Sequence, residues 1–251
     1  FGALLVGYRL HWPAVTTLAL SQVCGASLHL VLVMLANARV YRLPHPAEHE
    51  DLTYGRVWAF FWPVAVTSSM FSFSRPIIYF FVGRMPAPEP IIAALRVAFD
   101  CAMLFHLPMN QFRHLFVTFG RENLIHTRRF MKRALLVVIG IMLLLNLTPA
   151  MRLYLQEVLR IGPDILDLAL HALWVLCLIP LVATLRNYYH GIALLHHRTR
   201  GMALGGLCRN ASIAAAAGLL ASLGWLGHTA AAACLVLGFS AEATMVWLSV
   251  R

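Results

Sequence analysis

The chain alternates long apolar runs with short polar breaks. The runs fall at about 14–38, 57–83, 91–119, 134–150, 165–194, 201–223 and 229–250. Each approaches or exceeds the roughly 20 residues that a helix needs to cross a bilayer. The breaks are rich in proline and charge: the segment YRLPHPAEHEDLTYG over 41–55, MPAPEP over 85–90, the basic stretch Arg121–Arg133, MRLYLQEVLRIGPD over 151–164, HHRTR over 196–200 and the turn Gly224–His228. The pattern predicts an all-α, polytopic bundle of about seven transmembrane helices. Residues 1–40 close one membrane unit, 41–55 form a linker, and 56–251 form a second unit of six helices.

Composition supports this reading. Apolar residues make up 60% of the 251 and charged residues 12%, against roughly 45–50% and about 25% in soluble domains. So little charge could not cover a soluble surface, which excludes a soluble enzyme. The formal net charge of +10 would suggest nucleic acid in a soluble protein. Here it fits loops facing anionic headgroups, so the expected partner is the lipid bilayer and not nucleic acid.

The charges also set an orientation. Arg121, Arg128, Arg129, Lys132 and Arg133 mark the break after the third run as cytoplasmic. Alternation then puts the linker, with Arg42, on the same side, together with Arg39, Arg56, Arg198, Arg200 and Arg251. The opposite side receives Arg84, Arg152 and Arg160, offset by Glu89, Glu157 and Asp164. The chain opens in an apolar run, Phe1–Val6, before its first charge, Arg9, which does not fit a signal peptide. It reads as the interior of a longer protein, and a bacterial inner membrane is the expected location.

No enzyme motif is present, and the five cysteines form no CxxC pair. No cofactor or metal site is expected. The informative residues are ionisable groups inside apolar runs, which face a bundle interior or a watery cavity because a charge at the bilayer centre costs roughly 2.5–3.5 kcal/mol. They are Arg75, Arg96, Asp100, Arg186, Arg209 and Glu242, with His106 and His190. Pro63, Pro76 and Pro108 each remove a backbone donor and are expected to kink their helices. Pro76 follows Arg75 directly, so a broken helix would place that guanidinium in a cavity as a substrate contact. Arg96 and Asp100 are spaced to pair along one helix face, and Asn110 and Gln111 extend the polar surface beyond His106. Arg186 and His190 lie near a cytoplasmic helix end, where interfacial anchoring is expected. Glu242 has no basic neighbour in sequence, so it pairs with an arginine of another helix or carries a proton.

Several stretches, in order, resemble the progressive ankylosis (ANK) family of transporters. They are AFFWPVAVTSSMFSFSRPIIYFFVGR (59–84), HLP (106–108), LTPAMRLYLQEVLRIGPD (147–164), IPLVATLRNYYHGIALLHHRT (179–199), GFSAEATMV (238–246) and LSQVCGASLHLVLVML (20–35). The resemblance implies the fold of the multidrug and polysaccharide exporter (MATE-like) superfamily, in which two six-helix lobes face a central cavity. This chain would hold the end of the first lobe and all of the second, with the missing first lobe as its partner. It also implies export of small polyvalent anions, such as pyrophosphate, nucleotides or citrate, by alternating access. Arg75, Arg96 and His106 are then the candidate substrate contacts, and Glu242 and Asp100 the candidates for charge pairing or proton coupling. The intramembrane charges point the same way, because four arginines against two carboxylates attract anions. A flippase for lipid-linked sugars and a non-transporting scaffold are the alternatives.

The orientation gives a first prediction. Single cysteines at Asn123 and Glu48 should label from the same, cytoplasmic, side in oriented vesicles. Labelling from opposite sides would refute the helix count.

Overall fold

The computed structural model describes residues 6–7, 9–10, 12–40, 53–196 and 198–251. Among them it is helical, with no strand. Seven stretches are long and apolar enough to cross a bilayer: Val15–Ala38, Val57–Val82, Pro88–Phe119, Asn123–Leu147, Pro163–Leu195, Arg200–Ser222 and His228–Val250. The protein is an integral multi-pass membrane protein built as an all-α bundle.

The chain divides into two compact units at Asp51/Leu52. The first contains one long helix, α1 (Ala14–Val40). Its large apolar side chains, among them Val23, Leu28, Leu30 and Leu32, are exposed, as suits a single membrane span. Most of the linker, 41–52, lies outside the described residues, and its last two residues already belong to the next helix.

The second unit contains α2 (Tyr54–Val82), α3 (Pro88–Asn110), α4 (Phe112–Leu147), a short α5 (Ala150–Leu153) running into a π-turn over Tyr154–Val158, α6 (Pro163–Leu176), α7 (Ile179–Leu195), α8 (Arg200–Ser222) and α9 (His228–Val250). Two expected boundaries shift. The basic stretch Arg121–Arg133 is not a loop. Two helical segments of α4 meet there at a kink at Asn123, with φ −139° and ψ 51°, and one span ends at Phe119 while the next starts at Asn123. Leu, Met, Arg and Lys are all good helix formers, so the charges ride on the helix. The run 165–194 is two helices, α6 and α7, separated at Cys177–Leu178 with Pro180 in the first turn of α7, where proline is tolerated. Pro63 and Pro76 lie within α2, which runs unbroken from Tyr54 to Val82. Pro108 lies in the last turn of α3, just before the junction with α4.

Helix α9 packs against α8, α7, α6, α2 and α3, and so forms the axis of the unit. The core around it is apolar, including Ile78, Leu95, Phe99, Leu173, Leu176, Ile213 and Phe239. Leu136, Val137, Leu144, Leu219 and Leu237 remain exposed, a surface suited to lipid tails.

The tightest seam joins α8 to α9. Gly201, Gly205, Arg209 and Ile213 recur every fourth residue and form one stripe on α8. They run antiparallel to Ser249, Val246, Glu242 and Gly238 on α9. A Cβ at Gly201 would lie 2.0 Å from Ser249 Oγ, and one at Gly205 would lie 2.8 Å from Val246 Cγ2. On the other side, a Cβ at Gly238 would lie 2.5 Å from Ile213 Cγ1 and 3.1 Å from Arg209 Cγ. Small residues of this kind let two helix backbones approach closely. Here the approach is also what brings the next residue of the stripe, Arg209, against Glu242.

This seam yields a prediction. Gly205→Leu should destabilise the protein in detergent by more than the roughly 1–3 kcal/mol of ordinary overpacking, because it also separates Arg209 from Glu242. Gly140→Leu, at a position with nothing within 4 Å of an added Cβ, should leave the melting temperature unchanged. Equal effects of the two substitutions would show that the seam is not tight.

Candidate functional site

The carboxylate of Glu242 is fully buried on α9. Its Oε2 contacts Nη1 of Arg209 from α8 in a short ion pair, and Nη1 of Arg186 from α7 lies 3.6 Å away. Nε2 of His190, one turn after Arg186, is 3.5 Å from Oε1. Arg209 is fully buried, Arg186 is 5% exposed and His190 1%. Water cannot solvate these charges, so each must find its partner inside the bundle. The expected arginine from another helix is therefore present, twice over. The interfacial role expected for Arg186 and His190 is corrected: the rotation of α7 turns both inward, against α9.

Polar groups from other helices hold each guanidinium in place. Arg209 Nε donates to Ser74 Oγ at 2.9 Å, Ser74 Oγ donates to Asn210 Oδ1 at 2.9 Å, and Asn210 Nδ2 donates to the Met70 carbonyl at 2.9 Å. Arg186 Nη2 donates to Asn110 Oδ1 at 2.6 Å and to Asn187 Oδ1 at 3.2 Å. Asn187 Nδ2 donates to the Met109 carbonyl at 2.9 Å, at the α3–α4 junction just after Pro108. Irregular backbone at membrane depth is tolerated when it is buried in protein and its polar groups are met. The asparagine side chain meets that requirement here.

Two aromatic rings complete the cluster. The guanidinium carbons of Arg186 and Arg209 lie 5.8 and 5.4 Å from the Phe71 ring centroid and 5.1 and 5.3 Å from that of Phe239. Both cations are thus within cation–π range of both rings. The imidazole of His106, also buried, stacks on Phe71 at 5.9 Å and lies 5.5 Å from Phe239. Neither of its ring nitrogens has a hydrogen-bond partner among the described residues.

Beside the cluster is a cavity of about 150 Å³ lined by Thr67, Ser68, Phe71, Asn110, Arg113, Arg186, His190, Arg209 and Glu242. Three arginines and one glutamate face it. Apart from Phe71, near the middle of its span, these residues lie in the half of their spans nearer the ends that carry Arg56, Arg121, Arg198, Arg200 and Arg251. A smaller cavity of about 30 Å³ lies on the far side of Phe71, lined in part by Ser74, Arg75, Phe99, Met103, His106 and Phe239.

The other candidate residues sit elsewhere. Arg75 Nη1 donates to Asp100 Oδ1 at 2.7 Å, and its Nη2 donates to the Phe99 carbonyl at 3.3 Å. The expected pairing of Asp100 with Arg96 is corrected. Asp100 binds across helices to α2, and Arg96 is exposed on α3. The i, i+4 spacing permitted the first pairing, but a guanidinium arriving from the neighbouring helix reaches the same oxygen. The structure therefore brings Glu242 together with Arg186, Arg209 and His190, places His106 with Arg75 on the smaller cavity, and pairs Arg75 with Asp100. Arg113 is the lining residue that the sequence reading passed over. The available signal was its position one turn after Asn110.

Breaking a buried ion pair from one side costs about 3–5 kcal/mol, whereas replacing both partners with apolar groups is often nearly neutral. Arg209→Met and Glu242→Leu should each destabilise by that order, and the double variant should regain a large part of the loss. A double variant no more stable than the sum of the singles would uncouple the pair. No family model, curated protein or solved structure matches the chain, so the likeness to the progressive ankylosis family rests on the stretches quoted above.

Proposed function

We propose that this protein is a membrane transporter for small polyvalent anions, working by alternating access in a bacterial inner membrane. The single observation behind this reading is the charge around the larger cavity, three arginines against one glutamate inside an apolar bundle. Ionisable groups at membrane depth commonly mark solute pathways, and here the arginines around the cavity outnumber the one carboxylate that can pair with them. An arginine excess in a site shielded from water attracts anions and repels cations. The resemblance to the progressive ankylosis family supports the same class of substrate, such as pyrophosphate, nucleotides or citrate. It also supports a MATE-like lobe for residues 56–251, completed by a preceding first lobe.

Within this reading the cavity beside Glu242 is the principal station. Arg75 belongs to a second one, in the opposite half of the membrane, with His106 on its wall. Its charge is already offset by Asp100, so it contributes less to anion binding than the cavity arginines. A flippase for lipid-linked sugars is the second reading, and flux of such a lipid in place of small anions would favour it.

The test is flux. Proteoliposomes carrying the product of the whole reading frame should take up radiolabelled phosphate, pyrophosphate or citrate and exclude organic cations. Arg113→Ala should reduce uptake on the order of tenfold, the effect of one lost charge-assisted hydrogen bond. Arg75→Ala should reduce it less. Uptake of cations in place of anions would overturn the reading.

A further inference from the structure

The three cavity arginines are not equivalent, and their unused hydrogen-bonding capacity separates them. Arg209 is the more committed, although its Nη2 has no partner among the described residues. Its Nη1 is held by Glu242 and its Nε by Ser74. It is fully buried and belongs to the α8–α9 seam. Arg186 is less committed: only its Nη2 donates, to Asn110 and Asn187. Its Nη1 lies 3.6 Å from Glu242 Oε2, beyond a hydrogen bond, and its Nε has no partner among the described residues. The side chain is 5% exposed and lines the cavity. A buried donor left unmade costs about 1–3 kcal/mol, more when charged, and such a group needs an explanation. Arg113 comes from the first turn of α4 and lines the same cavity, half-buried. Its Nε makes a 3.3 Å contact to His114.

We infer that Arg186 and Arg113 grip a single phosphoryl-type oxyanion in this cavity, while Arg209 serves as the fixed counter-ion of Glu242. The inference rests on the anion reading above and narrows it to one chemical group.

Charge, size and donor chemistry converge on that group. With Glu242 neutralised by Arg209, two guanidinium charges remain to be balanced, which a dianion does and a chloride-like monoanion does not. A cavity of about 150 Å³ is the size that one benzene molecule fills in an engineered protein core. One phosphate or sulfate group fits within it. A citrate or a nucleotide does not, and could enter only by its terminal group, leaving the rest outside. Guanidinium is the planar donor fork suited to the oxygens of phosphate. The Asn110 oxygen already accepts from Arg186 and Asn187, which leaves its amide nitrogen to donate. Glu242 faces the same cavity and contributes selectivity: its carboxylate repels an anion that cannot also engage both free arginines.

Equilibrium binding to the purified whole protein in detergent tests this without reference to flux. Inorganic phosphate should bind and raise the melting temperature, and sulfate should compete with it. Arg113→Gln should weaken phosphate binding on the order of tenfold and leave the melting temperature without anion unchanged. Arg186→Lys keeps the charge but loses the fork, and should weaken phosphate binding while Glu242 keeps it folded. Mixed micelles containing phosphatidic acid provide a second arm. Competition by the lipid that depends on Arg113 assigns the phosphoryl group to a headgroup, and binding of inorganic phosphate alone assigns it to a soluble solute. The inference is overturned if neither source binds, or if Arg113→Gln binds phosphate like the parent protein. Arg113-dependent binding without any flux in proteoliposomes would sink the transport reading and leave the site standing.

Discussion

The second unit depends on one ion pair made without water. Glu242 stands on the central helix, inside a bundle whose outer surface is apolar. A carboxylate there is tolerated only if a cation reaches it. Arg209 reaches it because Gly205 and Gly201, one and two turns earlier on the same stripe, let α8 lie almost in contact with α9. The glycines and the salt bridge are thus one device. The small residues set the helix spacing, the spacing sets the contact between charges, and the contact makes the buried charge affordable.

From that pair the polar network extends outward in an ordered way. Arg209 ties α9 to α2 through Ser74, and Asn210 continues the tie to the Met70 carbonyl. Arg186 ties α9 to the α3–α4 junction through Asn110 and Asn187. Each link joins helices far apart in sequence, and each satisfies a group that would otherwise be stranded in a low-dielectric interior. The aromatic pair Phe71 and Phe239 adds a surface on which both guanidiniums can rest without hydration. A network this complete in most places makes its gaps informative. Gaps at Arg186 Nε, Arg209 Nη2, Glu242 Oε1 and both His190 ring nitrogens belong to residues that line the cavity.

The arrangement also separates a structural cation from cations with capacity to spare. Two guanidiniums near one carboxylate repel each other, and a third at the mouth adds to the field. Held in a rigid apolar frame, that excess persists as a positive potential in the half of the membrane nearer the basic helix ends. It is a fold-level consequence of where α4, α7 and α8 place their arginines, and the proposed anion reading rests on it.

The hydropathy pattern was enough to determine that the chain is an all-α, seven-span membrane protein, because crossing a bilayer depends on local composition and length alone. The same argument singled out Glu242, Arg186, Arg209, His106 and Arg75, since any charge within an apolar run needs a reason to be there. The sequence could not say which charge meets which. Asp100 was spaced for Arg96 yet is bound by Arg75, and Arg186 lay near a helix end yet turns into the core. Arg113 carried only one signal, its position one turn after Asn110, and nothing in the sequence says that it faces a cavity. Partners across helices are set by the rotation and separation of each helix, and those follow from the small-residue seams and from packing of all the helices together. Only the tertiary structure decided them, because no property of a single helix encodes the face its neighbour presents.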